Sequence, residues 1–283
     1  MIQYKCCTDV AVEEVYSAFK VGFSDYMIQM ELPLEGFVKR FLGPEGNQLE
    51  YSYIAFEEKE PVGLILSGMK LFDGVKTMRC GALCVSPEMR GKSVSQELFR
   101  LHKEAALQNG CKQLFLEVIA GNDRAVKFYS GLGYEKIYDL RYYTLTDISA
   151  LDEESGQQAD IRVLSYEEIC QYIERYPMGH INWQNDLDYL AGLEGVAYYG
   201  AFEDTQLAGL MAAGANGKIF FVWTKPQLRN RGIARHLLQN WVKVTHPPKL
   251  TISTPSNAHL EGFLRHLRFT KDQISQYEMY LTL

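Results

Sequence analysis

The chain is poor in the features that mark whole classes of protein. Six cysteines occur in 283 residues, and no two form a C-x-x-C pair. Cys6, Cys7, Cys80, Cys84, Cys111 and Cys170 therefore read as free thiols of a reducing compartment. Cys80 and Cys84 lie four apart on a predicted strand, which places them on one face. No histidine is suitably spaced to make a zinc site with them, so no metal is expected. No apolar run approaches the ~20 residues of a membrane span. The opening MIQYKCCTDV is not a signal peptide. A soluble, cytoplasmic protein with no membrane partner is the expectation. A net charge of −6 argues against non-specific binding of nucleic acid. Neither G-x-x-x-x-G-K-S/T nor G-x-G-x-x-G occurs, which excludes the common nucleotide loops.

What is present is an ordinary globular composition, 47% hydrophobic and 23% charged. The length suits about two domains. The informative stretch runs from Gly81 to Tyr134. Cys80–Val85 reads as a strand, followed by a Pro-bearing turn and the basic loop Arg90-Gly91-Lys92-Ser93-Val94-Ser95. A helix then runs to about Asn109 and stops at Gly110, a glycine suited to the left-handed residue after a helix. A second strand, Gln113–Val118, leads to Asn122 and a short helix carrying Ala125, Phe128 and Tyr129. A basic loop opening a helix suggests an anion site, because the first helical amides lack acceptors and the macrodipole is positive there.

The loop resembles the Arg-x-x-Gly-x-Gly/Ala loop of the GCN5-related N-acetyltransferases (GNAT), which holds the pyrophosphate of acetyl-CoA. Leu116-Glu117-Val118, Asn122, Ala125, Phe128-Tyr129 and Leu132-Gly133-Tyr134 resemble the same family's second signature. The pattern recurs: Arg229-Asn230-Arg231-Gly232-Ile233-Ala234 opens a helix, and Asn257 precedes Phe263, Leu267 and Phe269. A repeat of this length means duplicated domains. The chain is thus similar to a tandem acetyltransferase of α/β class, each half a mixed, mostly antiparallel sheet with flanking helices. The domains are predicted as 1–148 and 161–283, with the acidic run 149–160 between them.

The resemblance implies acetyl-CoA as the cofactor and a small-molecule or peptide amine as acceptor. In the first half, Cys84, Val85, Arg90, Gly91, Lys92, Ser93, Val94, Ser95 and Asn122 are implied to face it. Asn122 is equally a helix N-cap. In the second half the corresponding group is Arg229, Arg231, Gly232, Ile233 and Ala234, with Trp223 positioned to obstruct the pantetheine arm. Ser93 and Ser95 stand where the family usually has two glycines, and a Cβ there restricts positive φ and crowds the phosphates.

A lysine-like amine is neutral only about one part in 2,500 at pH 7, a deficit of roughly 4.6 kcal/mol, so a base is needed. The resemblance implies Glu117 as that base and Tyr129 as the acid or hydrogen-bond donor at the sulfur. Read without it, Glu117 is a charged residue at an exposed strand end and Tyr129 packs its helix on the sheet. The aligned positions in the second half are Ile252 and Leu264, so catalysis is assigned to the first. The alternative is a non-catalytic CoA sensor built on the second loop. Asp25, Tyr26 and Glu31 border the implied acceptor pocket or are ordinary connection residues, and residues around Asn182-Trp183-Gln184 are candidates for shaping it. A monomer or a homodimer is equally compatible.

Overall fold

The structure, a computed structural model, describes residues 1–152 and 159–283. Two compact units result: Met1–Ile137 with Tyr277–Leu283, and Tyr138–Gln276.

Unit 1 begins with β1 (Ile2–Cys6), α1 (Val12–Gly22) and α2 (Leu34–Phe41). Three long strands follow, β2 (Gln48–Glu57), β3 (Glu60–Phe72) and β4 (Val75–Val85). Each pairs antiparallel with its predecessor. The tight turns need left-handed backbone, supplied by Glu58 (φ 56°) and by Asp73-Gly74 (φ 49° and 78°). The chain then crosses through α3 (Val94–Gln108) to β5 (Gln113–Ile119), which lies parallel to β4. Next come α4 (Asp123–Gly131) and β6 (Glu135–Leu145). Helix α1 starts at Val12, and Asp9 sits in a preceding 3₁₀ turn without capping it. The Ala11 amide donates instead to Glu14 Oε2 at 3.0 Å.

Apolar stripes at helical spacing cover both faces of this sheet. Val15, Phe19, Phe37 and Phe41 pack with Ile54, Leu64 and Leu66 on one side. Leu98 and Phe99 pack with Met78, Leu114, Leu116 and Tyr129 on the other. Each such buried side chain contributes roughly 1.5–3 kcal/mol.

Unit 2 repeats the plan with β7 (Asp160–Leu164), α5 (Tyr166–Arg175), α6 (Leu187–Ala191), β8 (Val196–Glu203), β9 (Gln206–Gly214) and β10 (Lys218–Thr224). Helix α7 (Ile233–Thr245), β11 (Leu250–Pro255), α8 (Ala258–His266) and β12 (Thr270–Thr282) complete it. A capping box opens α5: Ser165 Oγ accepts from the Glu168 amide, and Glu168 accepts from the Ser165 amide. β10 and β11 are parallel, like β4 and β5.

The units do not divide where the composition suggested. Leu140–Leu145 of β6 pairs antiparallel with Pro255–Leu250 of β11, inside unit 2. Conversely Tyr277–Leu283, expected to close the second domain, belongs to unit 1, where β12 neighbours β5. Ala150 and Leu151, read as linker, are buried in the unit 2 core. Glu153, Glu154, Ser155 and Gly156 of the predicted acidic run lie outside the described residues. Acidic composition marked solubility there, while strand pairing decided the boundary.

A second correction concerns the cysteines. Cys80 pairs with Ser67 and Ala82 with Leu66, so Gly81 is an extra residue in β4. This bulge inverts the alternation. Cys80 joins the α3 side of the sheet and Cys84 the α1 side.

Candidate active site

β4 and β5 pair only from Thr77–Gln113 to Cys80–Leu116. Beyond that point β4 runs on to Val85, hydrogen-bonded to β3 alone, and a wedge opens between the two strands. Glu117 is the first residue of β5 past the last pair. Leu116 and Val118 point to the α3 side, so Glu117 points to the α1 side with Phe115.

The Glu117 side chain is 3% exposed. Arg79 Nη2 donates to its Oε2 at 2.6 Å, while Oε1 is buried with no partner. Arg79 Nη1 donates in turn to Glu45 Oε2 at 2.8 Å and to the Glu45 carbonyl at 3.2 Å. Burial raises the Glu117 pKa; Arg79 opposes the rise, and Glu278 and Glu45 add to it, leaving it at about 7. The exposed strand-end alternative for Glu117 does not hold. A carboxylic acid tuned to neutrality can accept a proton at working pH.

Tyr129 lies on the opposite side of the sheet. Its hydroxyl is 4.0 Å from Cys80 Sγ, beside the last paired residue of β4, where the wedge begins. The residue is 8% exposed. Desolvation pushes its pKa well above the usual tyrosine value, so it stays a proton donor. Cys80 itself is pushed up to about 12 by burial and remains a thiol. Asn122 caps α4, its Oδ1 accepting from the Ala125 amide at 3.2 Å, and its side chain lies near the Tyr26 hydroxyl. Tyr26 thus stands at this wedge, whereas Asp25 is exposed and binds Arg90 through two bonds of 2.5 and 2.6 Å. Glu31 is exposed.

Unit 2 has the same wedge with different walls. β10 and β11 pair at Lys218–Thr251 and Ile219–Ile252 and then separate. A cavity of about 870 Å³ fills the gap, lined by Trp223, Thr224, Gly232, Ile252, Ser253 and Asn182 among others. Trp223 forms wall and leans on Tyr176, at 6.1 Å, without closing the space. Ile252 and Leu264 are buried hydrocarbon. Asn182 is 1% exposed, and neither Oδ1 nor Nδ2 has a partner.

Residues 12–134 match the sequence model of the Acetyltransferase (GNAT) family. That match lies within unit 1. N-alpha-acetyltransferase 30 of Dictyostelium discoideum is 26% identical over 152 residues, 47% of this chain and 81% of that protein. Thialysine N-epsilon-acetyltransferase of Bos taurus is 38% identical over 53 residues, 19% of this chain and 31% of that protein. A tandem GNAT protein from the clavulanic acid biosynthesis pathway has the same fold, with a TM-score of 0.69 and 13% identity. The superposition covers 100% of this chain and 98% of that one. The chain therefore has the tandem GNAT fold and carries an acetyltransferase domain.

The two GNAT loops share one backbone. Gly91 (φ 77°) and Ser93 (φ 62°) are left-handed in unit 1, and so are Asn230 (φ 64°) and Gly232 (φ 87°) in unit 2. Each unit has a glycine at one of these two left-handed positions, the second unit's at the place of Ser93. The first bond of α3 runs from the Glu97 amide to Ser93 O, and that of α7 from the His236 amide to Gly232 O. The amides of Val94 and Ser95, like those of Ile233 and Ala234, precede those bonds and suit an anion. Lys92, Arg229 and Arg231 are exposed beside them. This cradle fits a pyrophosphate. Arg90 is less available than its position implied, because Asp25 holds its guanidinium.

Sequence reasoning missed Arg79, Glu45 and Glu278. The faint signal was an arginine inside an apolar strand, at an inward-facing position. Asn182 lay among the residues suggested for a pocket, but nothing in its spacing showed that its amide is buried.

Proposed function

We propose that unit 1 transfers the acetyl group of acetyl-CoA directly to a primary amine. The bound cofactor supplies an activated thioester. Glu117, on the α1 side of the wedge, takes the proton that the amine nitrogen must lose, directly or through water. That nitrogen bonds to the acetyl carbon and the carbon–sulfur bond breaks. Tyr129, on the other side, hydrogen-bonds the departing sulfur. Full protonation of a thiolate whose thiol has a pKa near 8.5, by a phenol held well above 10, is uphill by more than roughly 2 kcal/mol, so hydrogen bonding is its main contribution. No covalent enzyme intermediate is needed. The observation that carries this reading is the buried Glu117 carboxyl at about pKa 7, with a partnerless oxygen, one residue past the last β4–β5 pair. Primary amines fit as acceptors, since the two relatives are named for an α-amine and for the ε-amine of thialysine.

The unit 2 cavity supports a second reading for that half: it holds a CoA-type ligand without turning it over. Its phosphate cradle is formed, while Ile252 and Leu264 offer no proton chemistry. Asn182 can donate to and accept from a ligand amide there.

The test is acetyl-CoA consumption over a panel of amines, comparing the wild-type chain with Glu117→Gln, Tyr129→Phe and Arg229→Ala. Loss in the first two alone supports catalysis in unit 1. Loss only in Arg229→Ala reverses the assignment. Tight CoA binding without turnover on any amine favours the sensor.

A further inference from the structure

The connection between α1 and α2, residues 23–33, reaches both sides of the unit 1 wedge. On the β4 side, Asp25 accepts two hydrogen bonds from the Arg90 guanidinium, at 2.5 and 2.6 Å. Arg90 Nε donates in turn, at 3.3 Å, to the carbonyl of Val85, the last residue of β4. On the β5 side, the next residue, Tyr26, lies near Asn122 and Tyr129, the cap of α4 and a buried residue within it. Residues 25 and 26 therefore join the two lips of the wedge. The join is a formed turn: the Tyr26 amide donates to the Phe23 carbonyl at 3.1 Å, and the two rings meet edge to face at 5.0 Å.

The β4 attachment is open to competition. Arg90 and Asp25 are 26% and 50% exposed, and Arg90 stands just before the amides of Val94 and Ser95 that suit an anion. A pyrophosphate seated on those amides competes for the same guanidinium, and its charge repels Asp25. Arg124 of α4 also attracts Asp25, more weakly and with no hydrogen bond among the described residues. It belongs to the β5 lip and cannot hold residue 25 to β4.

We propose that Asp25 and Tyr26 form a strap across the unit 1 wedge, latched by Arg90, and that the pyrophosphate of the arriving cofactor releases the latch. This rests on unit 1 holding acetyl-CoA and adds how the segment beside the wedge responds to it. The same guanidinium serves two anions in turn, the Asp25 carboxylate in the free chain and the phosphate in the loaded one. An exposed pair of this kind is a weak latch, so release shifts the strap's opening equilibrium only about two- to five-fold.

The experiment is amide hydrogen exchange of the full-length chain, read by mass spectrometry on peptides covering residues 23–33 and 91–98, with CoA as the probe. Without CoA, Asp25→Asn and Arg90→Gln should each speed exchange of 23–33 by about two- to five-fold. The double variant should go no further, because both changes remove one pair. In the wild type, CoA should slow 91–98 and speed 23–33. In Asp25→Asn it should slow 91–98 and leave 23–33 at its already raised rate. Exchange of 23–33 that is unchanged by Asp25→Asn overturns the latch. Slowing of 91–98 by CoA, with 23–33 unchanged or slowed in the wild type, overturns the release. No response of 91–98 to saturating CoA removes the cofactor reading of unit 1, and the release with it.

Discussion

Units 1 and 2 are two solutions to filling one wedge. Both part a pair of parallel strands and aim a helix N-terminus at the opening. In unit 1 the wall holds a buried carboxyl with its arginine and a tyrosine hydroxyl beside Cys80. In unit 2 the same places are Ile252 and Leu264, around a cavity of about 870 Å³ with a partnerless asparagine. The frame was kept while the chemistry was not. The strand-and-helix frame is common to both units, while the ionisable pair is found at these places only in unit 1.

The comparison can be broken most decisively at Glu117. Glu117→Gln should lower kcat by about 10²- to 10⁴-fold, the usual worth of a general base. Ile252→Glu should add no activity, because unit 2 lacks the arginine clamp. A rise in turnover there would show that the frame alone suffices. Tyr129→Phe should cost about 10²-fold in kcat. Its thermal stability should barely change, since the hydroxyl makes only the 4.0 Å contact with Cys80.

Stability against pH sharpens the contrast further. The unfolded Glu117 loses its proton near pH 4.3 and the folded one near 7. Between these values the native state binds more protons, so stability should fall as pH rises through that window. Denaturant titrations at pH 5 and pH 8 should show a loss, on the order of a few kcal/mol, that is absent in Glu117→Gln. No unit 2 residue at this position can contribute such a slope.

Smaller effects belong to the loops. Gly232→Ala places a Cβ at φ 87° and should cost about 1–2 kcal/mol. Ser93→Gly relieves a left-handed serine but restores glycine entropy, so its net change should be within about 1 kcal/mol. Calorimetry of both variants, with and without CoA, checks the exchange. The smallest change is expected from Asp25→Asn. It frees Arg90 for phosphate and should lower KM for acetyl-CoA by about two- to five-fold, fading with added salt.

Much of the frame was legible beforehand. β5 (Gln113–Ile119) falls on the predicted strand Gln113–Val118 and α3 ends at Gln108, by the predicted stop at Gly110, because turn residues and apolar period mark such elements locally. The Gly81 bulge was not legible. Its extra residue shows only in the pairing with β3, and it moved Cys80 beside Tyr129. Glu45 and Glu278 were missed for a similar reason: they reach Glu117 from remote segments with no motif around them.

By itself the sequence determined the duplication, the loops and the loss of ionisable groups in the second half. Those are matters of residue identity at fixed spacing, and spacing along a chain is a local property. Only the tertiary structure decided which unit Tyr138–Leu145 and Tyr277–Leu283 complete, and which buried charges surround Glu117. Strand partners and the desolvation that tunes a carboxyl both depend on groups far apart in sequence, brought together when the sheet closes.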